Sequence, residues 1–198
     1  MANKTNLQDM ATASAIGIAG ALLFLFIFPS GAISTLMHEV LKLPGPGVGF
    51  GVVFGPFMAA CALAASRLTG KRWAAAVSSA AFGAVMSTVV SVFNLQTADP
   101  GRLGSVEFFI GAVLLGLSLE AALYLFSKVR EPVRFAASAV FADMIFLAYS
   151  LPFIFAKSAP EKYAALTGSK VLIIFAVSAL SAVVFSVLSL LVLKIIKR

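Results

Sequence analysis

Charge is scarce in this chain, and so are the residues that build most active sites. Only 12% of its 198 residues are charged, about half the share of a typical soluble domain. One histidine and one cysteine are present, too few for a structural zinc site, and Cys61 has no partner for an internal disulfide. The "HEV" at 38–40 is not a metalloprotease pair, because the second histidine of HExxH falls at position 42, which is Lys42. No phosphate-binding loop, G-x-S-x-G elbow or dinucleotide fingerprint occurs; "GVGFG" at 47–51 opens an apolar stretch and reads as helix packing. No nucleophile–base pair is visible, so the chain is not expected to be an enzyme, and no cofactor or metal is expected. Without a nucleotide motif, any energy source must be a partner or an ion gradient.

What the chain has in excess is apolar surface. Hydrophobic residues make up 61% of it, with a mean hydropathy of +1.03, which places it in the bilayer. Six apolar segments stand at 13–29, 49–67, 73–93, 107–127, 134–156 and 170–193. A span needs about 20 apolar residues, and an isolated segment in lipid satisfies its backbone only as a helix. The expected fold is therefore an all-α integral membrane protein, residues 1–198 forming one domain of six transmembrane helices. The first apolar run is long enough to span and lacks a cleavage site, so it reads as a helix rather than a leader.

The net charge of +7 could suggest nucleic acid, but its placement argues against that partner. The cations lie in short loops between apolar runs rather than on one face. Lys4, Arg67, Lys71, Arg72, Lys128, Arg130, Arg134, Lys194, Lys197 and Arg198 share one set of helix ends, against Lys42, Arg102, Lys157, Lys162 and Lys170 on the other. This bias puts both termini in the cytoplasm of a multi-pass protein of the cell membrane, with Trp73 as an interface anchor.

Residues 30–48 then face outward. Ile33, Leu36, Met37, Val40 and Leu41 recur at helical spacing, with His38, Glu39 and Lys42 on the opposite face. The pattern predicts a short amphipathic helix lying along the outer interface, ended by "LPGPG" at 43–47. It serves either as a gate over an outer mouth or as a plain connector. Three small-residue stripes follow helical spacing: Ala11, Ala15 and Ala19; Gly47, Gly51, Gly55 and Ala59; Ser178, Ala182 and Ser186. Such stripes let helices approach closely in lipid. The second and third read as internal packing, whereas the first could equally meet another protein.

The informative polar residues are acids inside apolar runs, where an ionisable group is a functional candidate unless it is a structural contact between helices. Asp143 lies mid-run, and its face carries Phe146, Ser150 and Phe153, bordered by Tyr149, an arrangement suited to a small ligand. Glu120 is expected to be structural or coupling, with Arg67 as a possible partner. Glu107, in the first turn of its helix, suits the helix dipole or lines the mouth, and Asn94 stands similarly at the outer end of the third helix.

These features converge at residues 11–60, where the chain resembles the substrate-binding S component of energy-coupling factor (ECF) vitamin transporters. That family has about this length, six helices and cytoplasmic termini. The resemblance implies that Ala11, Ala15 and Ala19 dock on a transmembrane coupling subunit carried by two ATPases, and that the loop at 30–48 gates the substrate. It transfers no substrate residue. The residues themselves suggest a cationic or heteroaromatic vitamin or precursor, thiamine or its pyrimidine as the leading guess, held by the charge of Asp143 and Glu107 and by stacking on Phe146, Tyr149 and Phe153, with His38, Glu39 and Asn94 at the mouth. The alternative is a solitary ion- or proton-coupled carrier or channel using Glu120 and Asp143, although the two halves show no corresponding broken segments.

Overall fold

A computed structural model describes residues 6–27, 39, 49–93 and 103–196, and every regular element among them is helical. Six helices are long and apolar enough to cross a membrane, as the apolar runs predict, so the architecture is that of a multi-pass membrane protein. In chain order they are α1 (Leu7–Ile27), α2 (Gly55–Thr69), α3 (Ala74–Val92), α4 (Val106–Leu125), α5 (Glu131–Ser150) and, after a short α6 (Pro160–Ala164), the long α7 (Gly168–Ile196). A π-helical turn, Phe50–Phe54, leads into α2, and a second, Leu151–Phe155, extends α5 into one last turn at Ala156–Ser158. The amphipathic helix expected within 30–48, together with His38 and Asn94, lies outside the described residues; Glu39 is exposed.

Helix ends run past the apolar runs that reveal them. α1 begins at Leu7 rather than near 13, because Asp9 in its first turn accepts from the Asn6 amide at 3.2 Å and faces Lys71 at 3.7 Å. A carboxylate there suits the helix dipole. α5 likewise begins at Glu131, with Pro132 in the first turn, where a missing N–H does no harm.

α2 is the axis of the bundle: 61% of its spanning window is buried, against 22% for α7. The others form an arc around it in the order α1, α3, α4, α5, α7. Glycine sets the tightest seam, since a Cβ on Gly17 of α1 would overlap the backbone carbonyl of Ser78 on α3. Hydrophobicity gives helices no drive to associate in lipid, so such close packing and interhelical hydrogen bonds must hold them. The seam between α7 and α2 uses the latter. Ser178, Ser181 and Ser189 donate to the carbonyls of Gly51, Val52 and Ala60.

The third small-residue stripe and the described part of the second thus lie inside the bundle, with Gly51, Gly55 and Ala59 on α2 and its lead-in turn, and Ser178, Ala182 and Ser186 on α7, all buried, while Gly47 lies outside the described residues. Gly17→Leu is expected to force α1 off α3 and destabilise the fold by about 1–3 kcal/mol. Thermal unfolding in detergent should report it as a lowered midpoint. Ala15→Leu, on the exposed side of the same helix, should leave the midpoint in place.

Candidate functional site

The polar centre of the bundle is built by two prolines. Pro56 has no N–H to give to a carbonyl one turn earlier, and its ring crowds that turn, so the backbone widens over Phe50–Phe54. The carbonyls of Gly51 and Val52 turn instead to Ser178 and Ser181 of α7. Pro152 stands in the first part of a second widened turn, Leu151–Phe155, at the end of α5. π-turns of this kind recur at functional sites.

Asp143, fully buried on α5, meets this junction. Ser178 Oγ lies 2.5 Å from Asp143 Oδ2 and 2.5 Å from the Gly51 carbonyl oxygen. Asp143 Oδ1 faces Gly55 across the α2–α5 seam, where a Cβ would overlap it, and has no hydrogen-bond partner among the described residues. One hydroxyl proton therefore serves two acceptors while a third oxygen has none. The cluster is short of hydrogen-bond donors or positive charge, and a proton or the cationic group of a ligand would supply either. Ser150, two turns along the same face, is also buried with its Oγ unpartnered among the described residues.

The structure separates the residues that the helical spacing of α5 puts on one face. Phe146 is in the core, edge-to-face with Phe108 at 6.3 Å; Phe108 meets Phe54 at 6.2 Å, and Phe54 meets Phe24 at 4.1 Å. These rings form an aromatic layer across the bundle. Tyr149 and Phe153 stack on each other at 4.9 Å, with Phe153 half exposed. Glu107, one residue into α4 behind the N-cap Ser105, pairs with Lys157 at 2.6 Å. Asp143 and Ser150 thus belong to a closed inner junction, while Glu107, Tyr149 and Phe153 lie near the helix ends beside Lys157.

At the basic end, Glu120 does not meet Arg67. Its Oε1 accepts from the Ala75 amide at 2.8 Å, one of the unsatisfied N–H groups of the first turn of α3. Arg67 pairs with Glu131 at the start of α5. Ala11, Ala15 and Ala19 are exposed, whereas Ala13, Gly17 and Ala21 on the same helix are buried. Sequence reasoning missed the roles of Ser181, the Gly51 carbonyl and Lys157. Pro56 and Pro152, each inside an apolar run, were the signals for the widened turns. Comparison with known protein families, curated proteins and solved structures gives no match, so a functional reading rests on geometry and chemistry alone.

Proposed function

We propose that the chain captures a small cationic or heteroaromatic solute, of the vitamin or vitamin-precursor class, within the membrane and passes it to a separate ATP-driven ECF module in the cell membrane. The observation that carries this reading is Asp143, a fully buried carboxylate whose Oδ1 has no partner among the described residues and whose Oδ2 shares a single serine proton with Gly51. Such a group inside lipid costs several kcal/mol unless something completes it, and a ligand's cationic group would. The aromatic layer from Phe24 to Phe146 supplies π faces that suit a flat heterocycle. A solute reaches Asp143 when α2 shifts from α5. Gly51 and Gly55 have no side chains to withdraw, and a π-turn stands at one end of each of the two helices, before α2 and after α5. The exposed face of Ala11, Ala15 and Ala19 provides the docking surface for the coupling subunit, with both termini on the cytoplasmic side.

Calorimetric titration of the purified protein with a panel of B vitamins and their precursors tests the reading. One member should bind at a single site, and no binding to any of them would sink it. The shortage of donors around Asp143 also fits a solitary proton-coupled carrier. Sealed vesicles containing only this chain decide between the two: binding without accumulation supports capture, and gradient-driven uptake supports the carrier.

A further inference from the structure

A second site stands at the opposite end of the molecule from the π-turns. Where α2 ends, α3 and α5 begin and α4 finishes, a cavity of about 850 Å³ opens at the surface, within the size range of small-molecule sites. One wall is a single face of α4, with Leu117, Glu120, Ala121 and Tyr124 at i, i+3, i+4 and i+7. It runs about 10 Å toward the middle of the bundle at 1.5 Å per residue. Its inner part is apolar, and Leu117 is 40% exposed there.

The rim is cationic. Arg67, Lys71, Arg72 and Arg134 line it against two carboxylates, Glu120 and Glu131. Both carboxylates are engaged, Glu120 with the Ala75 amide and Glu131 with Arg67. Arg72 lies over the Tyr124 ring at 5.8 Å and Arg134 over Phe135 at 5.6 Å, and neither has a carboxylate partner among the described residues. Arg134 Nε is buried with no hydrogen bond among those residues. Trp73 stands on the rim, exposed, with a left-handed φ of 71°, a conformation that costs a non-glycine residue about 1–2 kcal/mol.

Uncommitted guanidinium groups at the helix ends, exposed Trp and Tyr at the same level, and an apolar groove leading inward match one class of molecule from headgroup to tail. We propose that this cavity holds an anionic phospholipid, its phosphate between Arg72 and Arg134 and an acyl chain along Leu117 and Ala121. A soluble organic phosphate has the same headgroup chemistry but leaves the Leu117 wall uncovered. An acidic protein segment would match the charge but not the inward groove.

Native mass spectrometry of the full chain in detergent tests this with phosphatidylglycerol, phosphatidylcholine of the same acyl chains, glycerol 3-phosphate and a polyglutamate peptide. Phosphatidylglycerol should be retained in preference to phosphatidylcholine. The double variant Arg72→Gln, Arg134→Gln should weaken that retention about 25-fold, given about a fivefold effect for each cation near an anionic headgroup. Leu117→Trp, which keeps every charge and fills the apolar wall, should also displace the lipid, and it serves if the double variant does not fold. Unchanged retention by these variants overturns the proposal. So does displacement by glycerol 3-phosphate at equal concentration, or tighter binding of polyglutamate than of lipid.

Discussion

Asp143→Asn is expected to keep the fold and lose the ligand. Asparagine has nearly the shape of aspartate, and its carbonyl oxygen still accepts from Ser178, so the α5–α7 contact at 2.5 Å survives. Its affinity for a cationic solute should fall by roughly 10- to 100-fold, the range expected on losing a hydrogen bond to a charged group. Asp143→Leu sharpens the contrast. It removes a fully buried carboxylate that already has one unpartnered oxygen, and replacing a poorly satisfied buried polar group by an apolar one of similar size is often neutral or stabilising. The leucine variant should therefore unfold at the same temperature or higher while binding nothing. A purely structural aspartate gives the reverse: the leucine variant unfolds early and the asparagine variant binds normally. Paired measurements of thermal midpoint and calorimetric affinity distinguish the two outcomes, because a site kept for function is held at the expense of stability.

The parts of this molecule that could be read from sequence are those that depend on length and period. Six apolar runs gave six spans, because lipid allows a lone segment only a helix, and the stripe at Gly51, Gly55 and Ala59 was legible because close packing in lipid selects small residues. The helical face drawn through Asp143, Phe146, Ser150 and Phe153 was legible only as far as Ser150. Beyond it the turn Leu151–Phe155 is π-helical, with more residues per turn than an α-helix, so the face no longer follows α-helical spacing, and Phe153 stacks on Tyr149, four residues before it. Periodicity assumes one helix type throughout and cannot register that turn. The partners of Arg67 and Glu120 were beyond reach for another reason. Which helix ends meet is decided by how the arc closes around α2, and no local pattern encodes whether Arg67 finds Glu120 or Glu131.

Ala15→Trp is the variant expected to separate partner from ligand most completely. Ala11, Ala15 and Ala19 form an exposed stripe on α1, one face away from the buried Ala13, Gly17 and Ala21 that hold α1 against the bundle. On the proposed reading, this stripe of small residues lets a second helix approach closely over several turns. An indole at its centre would hold that helix off, so co-purification with an ECF coupling subunit and its ATPases, and ATP-dependent uptake in cells, should both be lost. Solute binding by the isolated chain should persist, because no core contact of α1 is touched and Asp143 lies across the bundle on α5, which packs against α4, α7 and α2 rather than α1. Ala13→Trp is the control. Ala13 is fully buried in a cluster with Ala65 and Ala74, so tryptophan there should lower the thermal midpoint and remove solute binding and assembly together. If Ala15→Trp assembles and transports normally, the exposed stripe faces lipid alone and the coupling surface must be sought on another helix. If it loses binding as well as assembly, α1 supports the solute site directly, and the separation of docking from capture proposed for this chain is wrong.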